Sequence, residues 1–201
     1  MNGAELSNAM VGAWRILTGD ERARGCFDIS TAGAARSFSA LLLSLPVLFF
    51  SSTAAWRIAR NTEGFPVDLP FGPFVTAEML GTVIYWATFL LAMMRVAQAL
   101  KLGHAYSAYL ITFNWGTLFT SAIFALPLIP YSLGLYPETP ALLLTLPALV
   151  ILFVYHWRIA RTVLGAEQGA AIAIVLFAAA LSFSIDQVLG YLFLPSGSFS
   201  G

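Results

Sequence analysis

The sequence predicts an all-α membrane protein, a bundle of about five transmembrane helices preceded by a short amphipathic interfacial helix. Three observations point there. Of the 201 residues, 59% are hydrophobic and only 10% are charged, whereas a soluble domain carries about 25% charged residues. The mean hydropathy is +0.80, and the apolar residues gather in long runs instead of alternating with polar ones. The cations, finally, collect on one side of the chain's path through the bilayer.

Residues 1–36 form the N-terminal segment, expected on the cytoplasmic side. Leu6, Met10, Trp14 and Leu17 are spaced four, four and three apart, giving one apolar stripe on a helix that Gly19 and Asp20 end. A short helix with Trp on its apolar face is expected to lie in the membrane interface. The alternative is that the stripe packs on the protein's own loops. Arg15, Asp20, Glu21, Arg22, Arg24, Asp28 and Arg36 fall in this segment, so no cleavable signal peptide is expected.

Residues 37–201 form a single bundle. A crossing takes about 20 apolar residues, and five runs qualify, at roughly 37–57, 74–96, 106–130, 139–157 and 169–194. The first ends before "NTEGFPVDLPFGP", whose prolines and glycines cannot continue a helix. "KLGHAYS" separates the second run from the third. "IPYSLGLYPETP" separates the third from the fourth, with Thr139 placed as N-cap and Pro140 at the first helical position. "LGAEQG" precedes the fifth. Pro46, Pro127 and Pro147 are expected to kink their helices.

With the N-terminus inside, the inner face collects Arg15, Arg22, Arg24, Arg36, Arg95, Lys101, Arg158 and Arg161, and the outer face only Arg57 and Arg60. Eight cations against two follow the positive-inside rule, and five crossings then leave the C-terminus outside. A cationic phrase recurs at these limits: "WRIAR" begins at both Trp56 and Trp157, with a looser copy, "MMRVAQALKLG", at Met93. Trp prefers the headgroup level and arginine stems reach toward water. Trp14, Trp56, Arg95, Trp157, Arg158 and Arg161 are therefore read as membrane-interface anchors. A true internal repeat would have to be inverted, and the flanking sequences share little.

Glu78, Asn114 and Asp186 lie inside the crossings. A charge near the bilayer centre costs roughly 2.5–3.5 kcal/mol on insertion scales, so such residues face the bundle interior or water. The simplest arrangement pairs Arg57 or Arg60 with Glu78 or Asp186 in an outer-leaflet polar cluster, with Ser182 and Gln187 near it. Glu78 is placed about one turn from the outer end and Asp186 about two. The cluster is either a cavity for an ion, a proton or a lipid headgroup, or a structural tie between helices. Asn114 reads as an interhelical hydrogen-bond donor. His104 and His156, at inner helix ends, read as interfacial polar residues.

A single cysteine, Cys26, excludes an internal disulfide framework and a Cys-based zinc site. No metal-ligand spacing and no Gly-rich phosphate loop is present, and no cofactor is expected. The net charge of zero suggests no nucleic-acid partner.

Two stretches carry a family resemblance. "AQALKLGHAYSAYLITFNWGTLF", beginning at Ala97, is similar to a short glycine-containing loop followed by a helix with a small-polar-aromatic centre. "WRIARTVLGAEQGAAIAIVLF", beginning at Trp157, is similar to a loop where a basic helix end meets a small-residue helix start. Both are features of the bacterial branch of the Yip1-like membrane proteins, which this chain resembles over roughly residues 75–195. "DLPFGPF" at Asp68 resembles that family's Asp-Leu-x-x-Gly-Pro motif but precedes the second crossing here, whereas the family places it before the first. Eukaryotic members act in vesicle trafficking, shape membranes and bind small GTPases through a long cytosolic extension that this sequence does not show. The resemblance implies a fold and a class, and no site residues.

The expected function is that of a non-enzymatic protein of a bacterial inner membrane, organising lipid or partner proteins. Membrane lipids, other membrane proteins or a second copy are the partners implied. The alternatives are a small transporter or channel with a polar cavity around Asp186, Glu78 and Asn114, and an accessory subunit of a larger complex.

Overall fold

The computed structural model describes residues 3–62 and 70–193. Asp68, which opens the proline-rich motif, lies outside them. Seven α-helices follow in order: α1 (Gly3–Thr18), α2 (Thr31–Ser37), α3 (Ser39–Asn61), α4 (Phe71–Ala99), α5 (Tyr106–Ser132), α6 (Glu138–Ile159) and α7 (Gln168–Phe193). No strand occurs among the described residues. Five spans, Thr31–Asn61, Phe71–Ala99, Gly103–Ser132, Glu138–Leu164 and Gln168–Phe193, are long and apolar enough to cross a membrane.

The five expected crossings all appear, the first four longer than their apolar runs. Hydropathy marks the stretch that prefers oil, whereas backbone hydrogen bonding carries a helix on into its polar ends. α6 begins earlier than expected. Pro137 stands at its N-cap and Glu138 opens its first turn, so Thr139 is not the cap. A carboxylate in the first turn complements the helix dipole. The helices run on through Pro46, Pro127 and Pro147, and through Pro130 as well.

α5 is the centre of the bundle. Its residues from Ile111 to Gly116 are buried without interruption, which an apolar helix shows only when neighbours surround it. It packs against α3, α4 and α6, and α7 closes the bundle by packing on α4 and α6. Helix direction alternates, so α1 sits at one end with the starts of α5 and α7, and the ends of α3 and α5 lie at the opposite, far end.

α1 packs under the bundle against α5 and α6. Ala9, Gly12, Ala13 and Ile16 form its buried face, with Leu6, Met10 and Leu17 packed on the same core. Trp14 is turned away and is 57% exposed. The expected stripe is thus split. Small residues at 9, 12 and 13 let the backbone approach the bundle closely, and that choice of face rotates Trp14 outward. α1 is tied down by charge, because Arg36 Nε donates to Glu5 Oε1 at 2.9 Å and the same guanidinium reaches Asp28.

Candidate functional site

The helix walls define one cavity of about 410 Å3 among α3, α4, α5, α6 and α7. Each long wall is a single helical stripe. On α5 it is Phe113, Thr117, Thr120, Ser121 and Phe124; on α6, Leu149, Leu152, Phe153 and His156; on α7, Val175, Ala178, Ala179, Ser182, Phe183 and Asp186. α4 contributes Thr82, Tyr85 and Trp86, and α3 only Leu41. Spacings of three and four place such residues on one face of each helix. The exposed lining residues are Leu149 on α6 and Phe183 and Asp186 on α7, and they put the mouth between those two helices. At 1.5 Å rise per residue, Leu149 and Phe183 both lie roughly 15 Å from the far end. The mouth is therefore lateral, at mid-span.

Glu78 and Asp186 come together. Glu78 stands seven residues from the start of α4, roughly 10 Å down. The meeting point is Gly81, where a Cβ would lie 3.8 Å from Asp186 Oδ1. Glu78, one turn before Gly81, is within electrostatic range of Asp186, and Ser182 stands beside Asp186.

The expected pairing of these carboxylates with Arg57 or Arg60 does not form. Arg57 Nη1 donates to the carbonyls of Tyr131 at 3.0 Å and Ser132 at 2.9 Å, and its guanidinium lies 5.2 Å from the Tyr131 ring centroid. Arg60 lies 4.8 Å over the Trp56 ring. The last carbonyls of a helix have no intrahelical partner and carry partial negative charge. The end of α5 therefore takes Arg57. The neighbouring carboxylate, Glu138, accepts instead from Asn61 Nδ2 at 3.0 Å and from the Tyr131 hydroxyl at 3.2 Å.

Asn114 is 1% exposed and does not line the cavity. Its Oδ1 accepts from Trp86 Nε1 at 3.1 Å and its Nδ2 donates to Ser37 Oγ at 2.9 Å. It ties α4 and α2 to α5 and fixes the indole in the cavity wall.

The second "WRIAR" phrase also works on helix ends. Arg161 Nη1 donates to Ala166 O at 2.8 Å, beside Gly165 at φ 81°, the left-handed position that stops the helix. Arg158 lies against Gly19 at the end of α1, with its Nε buried. Arg95 is exposed, and Trp56 and Trp157 are half-buried. The phrase is a pair of clamps on helix termini.

His156 departs most from expectation. It is 9% exposed and faces the cavity, with Phe89 and Phe113 edge-on to its ring. Its position in one apolar stripe with Leu149, Leu152 and Phe153 was the available signal. Among the described residues no group of three or more metal-ligating side chains converges. No family model matches the chain, and neither a curated protein nor a solved structure matches it.

Proposed function

We propose that this is a non-enzymatic integral membrane protein that holds a membrane-soluble molecule taken laterally from the bilayer. The observation that carries the reading is the cavity among α4, α5, α6 and α7, with its mouth between α6 and α7 at mid-span. Ligand pockets of some 300–1,000 Å3 are lined mainly by apolar and aromatic side chains with a few placed polar groups, and this cavity has that composition. An entrance at mid-span faces hydrocarbon in a bilayer about 30 Å thick, so the molecule arrives from lipid. The positive-inside distribution supports an N-terminus in the cytoplasm of a bacterium and a C-terminus outside its inner membrane. The likeness to Yip1-like proteins agrees with this layout and lends no residue to the site.

A neutral dodecanol carrying a diazirine on its chain tests the reading in nanodiscs. Labelling should map to Leu149–His156 and Val175–Asp186, and Ala178→Phe, which fills the cavity from its buried wall, should suppress it at least fivefold. Labels spread evenly over the lipid-facing surface, unchanged by Ala178→Phe, would overturn it.

A second reading, a small transporter, is favoured by one observation: Glu78 and Asp186 lie within electrostatic range of each other and face no cation. It predicts an ion- or proton-dependent flux in proteoliposomes that Asp186→Asn abolishes.

A further inference from the structure

We propose that the molecule held in this cavity is a lipophilic organic cation, its charged end against Asp186 and its apolar body along the aromatic wall. The inference rests on the cavity reading above and adds the chemistry of the ligand. The first ground is where the hydrogens point. Thr82, Thr117 and Thr120 donate their hydroxyls to backbone carbonyls of their own helices, Glu78 O at 3.1 Å, Phe113 O at 3.0 Å and Gly116 O at 2.9 Å. Trp86 Nε1 is committed to Asn114. His156 Nδ1 lies 2.9 Å from Leu152 O, and a carbonyl only accepts, so the proton sits on Nδ1. Nε2 then offers a lone pair and has no partner among the described residues, on a side chain nine-tenths buried and facing the cavity. These five side chains present lone pairs or π faces and no free hydrogen. The Tyr85, Ser121 and Ser182 hydroxyls also line the cavity, and each can turn a lone pair to a donor or a positive charge.

The second ground is the missing countercharge. All ten Lys and Arg lie in described segments, and only Arg57 and Arg60 belong to the far end. Both are engaged elsewhere, on the α5 carbonyls and the Trp56 ring. Two neighbouring carboxylates, Glu78 and Asp186, have no cation of the protein to balance them. An anionic headgroup would be repelled here. An inorganic cation would demand a full shell of oxygen ligands, whereas beyond Ser182 the lining turns aromatic, with Phe183 one turn from Asp186 on α7 and Tyr85 and Trp86 farther in on α4. Aromatic faces with a carboxylate suit an organic cation, which the ring quadrupoles attract. On α7 the lining runs from Asp186 back to Val175, 11 residues, so the cavity extends roughly 17 Å along the helix. That length fits an extended alkyl chain.

Three probes share one diazirine-bearing dodecyl chain and differ only in headgroup: trimethylammonium, hydroxyl and sulfonate. Each is photolysed at equal membrane mole fraction in nanodiscs of zwitterionic lipid, and labelling of α6 and α7 is quantified. The ammonium probe should label the cavity at least tenfold more than the sulfonate, and should compete with the alcohol probe. Asp186→Asn, which keeps the shape and removes the charge, should lower ammonium labelling to the alcohol's level and leave the alcohol unchanged. Glu78→Gln should lower it less. Equal labelling by ammonium and sulfonate overturns the proposal, as does ammonium labelling that Asp186→Asn leaves intact. If the alcohol alone enters, the cavity reading stands and the cation reading falls. If no probe maps to the cavity, both fall. Should a variant not fold, the ratio of ammonium to sulfonate in the unmodified protein decides.

Discussion

The Asn114 carboxamide donates to Ser37 Oγ at 2.9 Å and is itself buried at 1% exposure. With the Trp86 indole donating to its Oδ1, this one side chain joins three helices across the centre of the bundle. Hydrogen bonds between transmembrane helices average about 0.6 kcal/mol and reach about 1.7. Removing one partner also strands the other in an apolar interior.

Asn114→Leu should therefore destabilise the bundle by about 1–2 kcal/mol, since it leaves both Trp86 Nε1 and Ser37 Oγ without this partner. Ser37→Ala should cost less: it loses the local donation to Ala34 O at 2.7 Å and one bond to Asn114, whose Oδ1 still accepts from Trp86. Reversible unfolding in mixed micelles measures both. The double variant should be less destabilised than the sum of the singles, because the two side chains share a contact.

Arg57 and Arg60 are three residues apart on one helix, yet their loss should differ. Arg57→Gln removes a charged donor from two terminal carbonyls of α5 and a cation from the Tyr131 ring. About 1–3 kcal/mol should go with it. Arg60→Gln removes an exposed cation stacked on Trp56, and a change within about 0.5 kcal/mol is expected. Thermal denaturation in detergent, read by near-ultraviolet circular dichroism, compares them. Equal losses would mean that the α5 cap contributes nothing.

At the α1 end, the Asp20 carboxylate accepts from Arg22 Nε at 3.0 Å and Nη2 at 2.8 Å, and from the Arg22 amide at 2.9 Å. The side-chain bonds first, and the amide next, pull its carboxyl down from 3.8 to about 2. The folded value lies below the unfolded one, so the contact contributes stability above about pH 4 and loses it as pH falls through about 2. A carbonyl-detected NMR titration of isotope-labelled protein should find the Asp20 midpoint near 2. Arg22→Gln should move it up toward 3.8, and high salt should do so in part, since the pair is exposed.

The helices were legible because burial in hydrocarbon demands about 20 apolar residues in a row, and this sequence breaks its runs with Pro, Gly and charge at every limit. Asn114 was legible for the same reason: an amide in such a run needs a partner. Pairing was not. The α5 carbonyls that take Arg57 are backbone groups, identical in every residue, so no pattern of side chains announces them. The approach of Asp186 to Gly81, beside Glu78, was not legible either, because it depends on how α4 and α7 pack on each other. His156 sits beside Arg158 in a cationic phrase, and its charge-rich neighbours outweighed the stripe it shares with Leu149, Leu152 and Phe153. A stripe shows its meaning only when a second helix stands off from it.

The most direct test asks what fills the space behind the α6–α7 mouth. A spin label on Ala179, which lines the cavity at intermediate exposure, is placed in a Cys26→Ser background and measured in nanodiscs by collision with oxygen and with a nickel chelate. A cavity continuous with lipid predicts frequent oxygen collisions and rare nickel collisions. Ready access by the nickel chelate would show a water-filled vestibule, and exclusion of both would show a closed core; either result contradicts the account.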